Sequence, residues 1–376
     1  MKRIGPLILL LFCVHAIKLT AHRLPLTAEP QDTLSSSSLG ELVVSASRWY
    51  RPGEEQPVKV SRIAFEQSNA YNPQTAADML GLTGEVFIQK SQYGGGSPMI
   101  RGFSANRLLY CVDGVRMNTA IFRAGNLQNV ISLDPFAVSS TEVLFGPGSV
   151  CYGSDAIGGA MVFNTLQPRL SQDSSPVFYG SATLRGATAS SEFTGHLHLG
   201  AGWRRWGFVT SFTASSFSDL KQGLHGPEDY IMPYIVVPEY SMGGEVKDHV
   251  LANSNVRLQT PSGYSQYNFM QKVRYAPSER WNMEYAFHMS RTSEYARYDR
   301  HQRMRNGKPR YAEWNYGPQE WTMNHLCVEH KGENALYDSL RINLAMQLFK
   351  ESRISRNLND PLREVQTEDV DAWSAN

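Results

Sequence analysis

The sequence predicts a mainly β protein, in which a small N-terminal α+β domain precedes the first strands of an antiparallel transmembrane β-barrel. Two patterns lead to this fold class. Between residues 99 and 165, glycine-rich turns separate short apolar runs, which is typical of a compact domain built from short strands. From residue 177 onward, apolar and polar residues alternate with a period of two, as in a wall with one face in lipid and one in an aqueous lumen.

The N-terminus has the features of a secretory signal peptide. Lys2 and Arg3 precede an apolar run from Ile4 to Val14, and small residues suited to cleavage follow, up to Ala21. The run is shorter than the about 20 apolar residues that a membrane-spanning helix needs. We therefore predict that the protein is exported after removal of residues 1–21.

Composition argues against a nucleic-acid-binding protein. The 376 residues carry a formal net charge of +1, and the basic residues that do cluster, from Arg297 to Arg310, are interpreted as part of a solvated loop. Cys111, Cys151 and Cys327 form no CxxC motif, so no metal or redox site is predicted. Their positions leave open a disulfide between Cys111 and Cys151 or buried thiols.

Residues 22–47 form an arm rich in Ser, Thr and Pro that we predict to be flexible. Within this arm, an apolar and β-branched segment extends from Glu41 to Ala46. Main-chain hydrogen bonds would allow such a segment to pair with an edge strand of a partner protein. The alternative is that it forms the first strand of the domain that follows.

Residues 48–168 are assigned to the α+β domain. Asn72 and Pro73 are expected to begin a short helix that continues over Thr75 to Leu80. Asp113-Gly114 is the strongest hairpin signal. Strands are predicted at Pro57–Ile63, Val86–Gln89, Leu108–Val112, Glu142–Phe145 and Ala160–Asn164.

Residues 176–376 are assigned to the barrel wall. Strands are predicted near residues 177–188, 192–203, 206–218, 263–276, 280–296, 319–331 and 336–351, with an eighth opening near 367. The connections alternate in kind: turns at 204–205, 277–279 and 332–335 fall on one side, and those at 219–262, 297–318 and 352–366 fall on the other, together with a short connection at 189–191. An up-and-down barrel has short periplasmic turns and long extracellular loops in this way.

Three phrases of the N-terminal domain resemble the plug of TonB-dependent outer-membrane receptors, namely MIRGF, VDGVR and GPGSVCYGSDAIGGAMVFNT. The resemblance covers residues 40–166 in colinear order. It implies a receptor without enzymatic activity in the Gram-negative outer membrane, surrounded by outer-membrane lipid and coupled to the energy-transducing protein TonB in the periplasm. It also identifies the segment in the arm as the TonB box, made of Glu41, Leu42, Val43, Val44, Ser45 and Ala46.

The resemblance further implies structural and gating roles for residues of the plug. The charged residues Arg101, Asp113, Arg116 and Glu142 are expected to form ion pairs within the plug or to the wall. Phe145 stands where many relatives have arginine, so one plug-to-wall charge contact is expected to be missing or moved. The residues expected to shape the plug are Gly102, Gly114, Gly146, Pro147, Gly148, Tyr152, Gly153, Gly158 and Gly159.

The segment from Ser97 to Phe136 is most similar to plugs of haem and haemoglobin receptors, which implies uptake of an iron-containing ligand, haem or haemoprotein-derived. Alternatives are a receptor for a ferric siderophore or another ferric chelate, a cobalamin receptor, a surface adhesin, or a nonfunctional receptor fragment. Haem would be cargo rather than a resident cofactor, and imidazole is a suitable axial ligand for its iron. The candidate ligands lie on polar strand faces or in predicted outer loops: His196, His198, His225, His288 and His301.

The predicted number of strands is small for such a receptor. A barrel of about eight strands fills its interior with its own side chains, whereas a plugged lumen takes about 22 strands. We therefore expect the chain to hold the N-terminal part of a receptor, with further strands needed to complete the barrel.

Overall fold

The fold is described from a computed structural model at residues 42–43, 51–52, 58–64, 70–117, 121, 129–226, 228, 231–240, 246–332 and 336–376. Its helices are α1 (Ala76–Gly81), α2 (Ser149–Tyr152) and α3 (Tyr298–His301), and 3₁₀ turns occupy Ala105–Arg107 and Asn129–Ser132. None of the helices in these residues has the length and the apolar character to cross a membrane.

The N-terminal domain, called the plug from here on, is built around a five-stranded sheet. Its strands are β1 (Leu42–Val43), β2 (Arg51–Pro52), β3 (Lys59–Ala64), β4 (Phe87–Gln89), β5 (Ser97–Met99), β6 (Leu108–Val112), β7 (Val115–Arg116), β8 (Val138–Phe145) and β9 (Gly159–Thr165). The sheet has the order β3-β8-β9-β6-β7, and only the β6–β9 pair is parallel. Every residue of β6 is buried, which explains its uninterrupted apolar sequence.

Helix α1 begins later than the sequence pattern predicts. Its N-cap is Thr75, whose hydroxyl accepts a hydrogen bond from the Asp78 backbone N–H while the Asp78 carboxylate accepts one from the Thr75 N–H. Asn72, with φ of 48°, is not helical. The expected start at Asn72 and Pro73 is wrong, because the reciprocal capping box satisfies two N–H groups and outweighs the proline signal.

The wall and its loops contain sixteen strands. They are β10 (Val177–Ala187), β11 (Glu192–Gly202), β12 (Trp206–Phe217), β13 (Leu220–Lys221), β14 (Tyr234–Tyr240), β15 (Val246–Ala252), β16 (Leu258–Gln259), β17 (Tyr264–Tyr275), β18 (Trp281–Thr292), β19 (Tyr295–Ala296), β20 (Met304–Arg305), β21 (Lys308–Pro309), β22 (Tyr311–Tyr316), β23 (Glu320–Lys331), β24 (Ser339–Asn357) and β25 (Glu364–Ala375). Eight of these pair antiparallel in the order β10-β11-β12-β17-β18-β23-β24-β25 and form the wall.

All eight predicted wall strands are present, with two corrections at the C-terminal side. Strand β24 continues to Asn357, because its outer part pairs with β22 from a neighbouring loop. Strand β25 starts at Glu364 rather than near 367, and it pairs with β24 over twelve residues. Within the described residues β10 and β25 do not pair with each other, so the wall is an open sheet.

The two faces of the wall differ in the predicted way. Along β11, Phe193, Leu197 and Leu199 are exposed on the outward face, while Thr194 and His196 are buried on the face toward the plug. Apolar residues outward and polar residues inward are the pattern of a membrane barrel rather than of a soluble sandwich. The alternation therefore selects which side chains are able to meet the plug.

Candidate functional site: the interface between plug and wall

A buried charged cluster joins the plug to the wall at Asp113. Asp113 and Gly114 form the turn between β6 and β7 with φ values of 49° and 85°, which suit the two-residue turn that Asp-Gly adopts readily. The Asp113 carboxylate accepts hydrogen bonds from the Thr165 backbone N–H (2.9 Å) and hydroxyl (2.7 Å). Thr165 ends the parallel neighbour strand β9, so the sheet itself holds this carboxylate in place.

Lys272 of β17 supplies the opposite charge. Its side chain is fully buried, and its Nζ is 3.0 Å from Asp113 Oδ2 and 3.3 Å from Oε1 of Glu284 on β18. His288 Nε2 lies 3.6 Å from Asp113 Oδ2. The Gln167 amide fits the cluster with its nitrogen 2.6 Å from Glu284 Oε2 and its oxygen 2.9 Å from Lys272 Nζ. Asp113, Lys272, Glu284 and His288 are called the latch below.

Burial and charge act in opposite directions on the pKa of Asp113. Desolvation raises this pKa, whereas the Lys272 ammonium and the His288 side chain lower it, and the result lies well below the usual value. Asp113 is therefore ionised at neutral pH. Removing one partner of a buried ion pair leaves an uncompensated charge and costs about 3–5 kcal/mol, so the packing of plug against wall is sensitive to the loss of either charge of the latch.

A second contact connects Asp134 of the plug to two wall histidines. Asp134 Oδ2 accepts a 2.6 Å hydrogen bond from the Thr213 hydroxyl on β12, and Thr213 Oγ1 is 2.8 Å from His196 Nδ1. His196 Nε2 is 3.2 Å from His198 Nδ1. Because the single hydroxyl proton goes to Asp134, Nδ1 of His196 is the donor to Thr213, and Nε2 of the neutral ring accepts from His198.

This second contact is sensitive to the protonation of its acid. Burial raises the pKa of Asp134 to about 6, although hydrogen bonds from the Thr213 hydroxyl and the Phe136 backbone N–H lower it. The Phe136 ring stacks on His196 with centroids 4.9 Å apart, which excludes water from the chain of polar groups. Plug and wall are thus joined here by hydrogen bonds that depend on whether the Asp134 carboxylate carries a proton.

A third contact lies just before helix α1. Arg185 of β10 donates to Glu192 Oε1 (2.7 Å) and to the Pro73 carbonyl (2.9 Å). Gln74 donates to Glu192 Oε2 at 3.0 Å. The buried Glu192 carboxylate is thereby shared between a wall cation and a plug amide, which ties the N-terminal end of α1 to the β10–β11 hairpin.

The plug also contacts the ends of two wall strands and the loop that carries α3. The Tyr93 ring makes edge contacts with the rings of Phe217 (5.5 Å) and Tyr264 (5.8 Å). Gly94 has no room for a side chain, because a Cβ there would lie 2.8 Å from the Tyr264 ring. In addition, the Tyr298 hydroxyl of α3 donates a 3.2 Å hydrogen bond to the Lys90 carbonyl. The loop that carries α3 is therefore in physical contact with the plug.

A cavity of about 910 Å³ separates plug and wall toward the short turns. Its lining is strongly charged, and the latch residues Asp113 and Glu284 border it. The other charged residues that line it are Arg62, Glu142, Arg274, Glu329 and Arg341. The latch therefore lies at the edge of a polar space that already exists between the two parts.

The other plug charges named by the resemblance lie away from the latch. Arg116 pairs with Asp155 within the plug, and its carbonyl accepts a 2.8 Å hydrogen bond from Gln347 of the wall. Glu142 is buried in β8, where it stands in register with Arg62 of β3. These charges are therefore placed in the plug sheet and at its wall-facing edge.

Phe145, for which the resemblance implied a missing or moved charge contact, lies near two cations. The Lys59 ammonium is 5.7 Å and the Arg101 guanidinium 6.0 Å from the ring centroid. The aromatic face attracts cations, so the positive charge in this chain comes from neighbouring residues. Arg101 itself is exposed.

The glycines of the plug meet two different requirements. Gly102, Gly114, Gly146 and Gly153 have positive φ, whereas a Cβ on Gly158 would lie 2.4 Å from Phe103. Gly148 and Gly159 are likewise crowded by Leu144. Pro147 is exposed in the turn before α2, and Tyr152 is buried within α2.

The candidate histidines do not form a single site. His196 and His198 are neighbours in the second contact, and His288 belongs to the latch. His301 is buried in α3, where its Nε2 accepts a 3.3 Å hydrogen bond from a backbone N–H, while His225 is exposed in a loop. Across the part of the chain that the structure describes, no group of three His, Cys, Asp or Glu side chains is arranged to hold a metal ion.

Two residues of the TonB-box segment are described. Leu42 and Val43 form β1, which pairs with β2 in a separate two-stranded sheet rather than in the five-stranded sheet of the plug. Glu41, Val44, Ser45 and Ala46 lie outside the described residues. Cys111, Cys151 and Cys327, all described, form no disulfide.

The wall partners of the plug were not among the site residues predicted from the sequence. Lys272 and Glu284 occupy polar positions in the alternation of two predicted strands, and a charge that faces a plugged lumen needs a partner. That signal was sufficient to select them. Asp134 carried no comparable signal, because it lies in a segment without periodic pattern.

Comparisons with known proteins agree with this architecture. Residues 52–160 match the family model of the TonB-dependent receptor plug domain. The chain is 29% identical over 227 residues to the hemin receptor of Yersinia pestis, which covers 55% of this chain and 31% of that receptor. It is 34% identical over 138 residues to the vitamin B12 transporter BtuB of Vibrio vulnificus (strain CMCP6), covering 35% of this chain and 22% of the transporter. The solved structure of the copper transporter OprC matches with a TM-score of 0.61 at 15% identity, over 84% of this chain and 42% of OprC.

A plug domain bound to an antiparallel wall with an apolar outer face defines an outer-membrane protein with a plugged lumen. The family match makes the assignment of the plug specific: residues 52–160 are a plug domain of the TonB-dependent receptor type, and the chain is similar to receptors and transporters that carry one. It spans less than a third of the length of the two curated relatives named above.

Proposed function

We propose that the chain is the plug-bearing part of a TonB-dependent receptor that takes up haem, or haem released from a haemoprotein, across the outer membrane. The observation that carries transport is the latch, in which a separate domain is held in the lumen by a few buried polar contacts. The similarity to the Yersinia pestis hemin receptor over 55% of the chain supports haem as the ligand. Residues 1–21 would act as the signal peptide for export.

Transport in this proposal requires movement and no covalent chemistry. TonB would bind the segment from Glu41 to Ala46 in the periplasm and pull on the chain that enters the plug at β3. The pull would displace the plug and break the Asp113–Lys272 contact. Breaking this contact would open the latch toward the polar cavity beside it. The ligand would then pass along charged side chains rather than along an apolar surface.

Growth on haemin as the only iron source tests this function. The receptor that carries this chain is expressed in a host without its own haem receptors, with and without TonB. Deleting residues 41–46 is expected to abolish growth, whereas deleting the six arm residues 33–38 is expected to leave it unchanged. Haemin-dependent growth that survives deletion of residues 41–46, or loss of TonB, would contradict TonB-coupled uptake.

Cobalamin is the second candidate ligand. The identity of 34% to the vitamin B12 transporter over 138 residues favours it, although the match covers less of the chain than the hemin-receptor match. The same strains, made dependent on external cobalamin, separate the two ligands. Rescue of growth by cobalamin without rescue by haemin would make cobalamin, and not haem, the transported ligand.

A further inference from the structure

Hairpin β20–β21 carries four cations on one face. Arg305 stands opposite Lys308 in the antiparallel register. Beyond the intervening pair of Met304 and Pro309, Arg303 stands opposite Arg310, with a 2.8 Å hydrogen bond from the Arg310 N–H to the Arg303 carbonyl. Directly opposed residues share a face and successive residues alternate, so these four side chains lie on the same face. They are spaced about 5 Å across the hairpin and about 7 Å along it.

This face is electrostatically unfavourable by itself. Like charges directly opposite each other destabilise a β ladder. All four side chains are exposed. Within the described ranges, no carboxylate oxygen lies within 4.0 Å of their charged nitrogens, so none of them forms an ion pair there. Acids on adjoining elements are engaged elsewhere, Asp299 with Arg297 and Glu313 with Arg356. The face therefore has positive charge that an anionic ligand would neutralise.

The hairpin has a defined shape. Asn306 and Gly307 form its two-residue turn with φ values of 51° and 74°. The Arg310 guanidinium lies 4.8 Å from the Tyr311 ring, and the Arg310 carbonyl accepts a 3.2 Å hydrogen bond from the Leu358 N–H. Because the backbone of the hairpin is ordered in advance, ligand binding costs little backbone entropy, and the entropic cost is confined to the side chains.

The position of the hairpin favours a soluble ligand over a lipid headgroup. Pairing of β23 with β24 ends at Lys350, and β24 continues to Asn357, which pairs with Tyr311 beside the hairpin. The seven residues between these points extend about 23 Å at 3.3 Å each. At a strand tilt of about 40°, the hairpin therefore stands roughly 18 Å above the end of the β23–β24 pairing. The same loop reaches the plug through Tyr298.

We infer that this cationic face first captures the transported ligand, and that the ligand is a compact soluble molecule with two or more carboxylate or phosphate groups. The inference rests on the proposed function for the outward orientation of the loop. The four charges cover only about 5 by 7 Å, whereas a protein partner needs about 800 Å² on each side. The patch therefore fits a small polyanion better than an acidic protein surface.

Titration of the intact receptor in detergent tests this inference, with ferric citrate, haemin and inorganic pyrophosphate as probes. The variant Arg305→Gln/Lys308→Gln is compared with Lys221→Gln/Lys247→Gln, which removes two exposed charges from other loops. The hairpin variant is expected to bind at least one probe about tenfold more weakly at low salt, and the control less than twofold. The difference is expected to shrink at about 0.3 M salt.

The outcomes separate this inference from the proposed function. Binding of ferric citrate that depends on the hairpin, without haemin uptake, supports capture and removes haem as the ligand. Haemin uptake with equal affinities in both variants overturns capture and leaves the proposed function standing. Absence of hairpin-dependent binding for all three probes overturns the inference, as does an effect confined to an acidic protein or to lipopolysaccharide vesicles.

Discussion

Replacing Lys272 by methionine removes the ammonium ion of the latch and keeps most of the side-chain volume. In the wild type, Nζ lies 3.0 Å from Asp113 and 3.3 Å from Glu284, and the side chain has no exposed surface. The variant leaves two carboxylates buried next to a neutral residue. We therefore expect the plug to separate from the wall more easily, while the plug sheet itself stays folded.

The size of the effect follows from the geometry. Two unit charges 3.0 Å apart attract by about 5.5 kcal/mol at an effective dielectric constant of 20, and desolvation of both ions offsets part of this. Loss of one partner from a buried pair costs about 3–5 kcal/mol, and Lys272→Met, which leaves both Asp113 and Glu284 without their counter-charge, is expected to fall in that range. Asp113→Asn leaves Lys272 beside Glu284, so we expect a smaller cost of about 1–3 kcal/mol.

Amide hydrogen exchange of β6 and β9 in outer-membrane vesicles, measured over a series of urea concentrations, reports the free energy of plug release. Lys59→Met is the matched control, because it removes a lysine from an exposed pair with Glu85 and is expected to cost under about 0.5 kcal/mol. The double variant Asp113→Asn/Lys272→Met should be less destabilised than the sum of the single variants by about 2 kcal/mol. Strict additivity, or equal protection in Lys272→Met and Lys59→Met, would refute the latch.

Three further predictions concern other contacts. The pKa of Asp134 rises from 3.8 to about 6 on folding, so its contribution to stability is complete below pH 3.8 and is lost as the pH rises through about 6. Asp134→Asn should therefore remove this pH dependence and stabilise the plug above pH 6 by up to about 3 kcal/mol, measured by urea unfolding at pH 5 and pH 7.5. Gly94→Val should force its side chain into the Tyr264 ring and lower stability by about 1–3 kcal/mol, with a reduced melting temperature as the readout. Arg356→Met should leave the buried Asp248 carboxylate without the two hydrogen bonds of 2.8 and 2.9 Å that it accepts from Arg356, and proteolysis within strands β14 and β15 should become faster.

The wall strands were predicted closely because each strand carries its own signal. Strand β12 was expected at 206–218 and occupies Trp206–Phe217, since the alternation arises from the pleat of the strand. Helix α3 and strand β22 were missed in a segment interpreted as a solvated loop. These elements are short, and what stabilises them is contact with β24 and with other loops, which leaves no periodic pattern in the sequence.

The candidate site was predicted only in part, because its two halves come from distant segments. Asp113 was selected through the resemblance and through its turn. Lys272 was not singled out from the sequence, although it lies in a predicted wall strand. Which plug residue it meets depends on how the plug is rotated and seated within the wall, and no local pattern records that orientation.

By itself, the sequence determined the resemblance to a receptor plug, the order of plug and wall, and the two faces of the wall strands that alternate regularly. These properties depend on local backbone geometry, which repeats every two residues in a strand and at each glycine turn. Only the tertiary structure decided that Lys272 binds Asp113, that Thr213 connects Asp134 to His196, and that four cations share one hairpin face. Such contacts depend on packing and register between segments that are independent in sequence, and the burial of each charge is determined only when those segments come together.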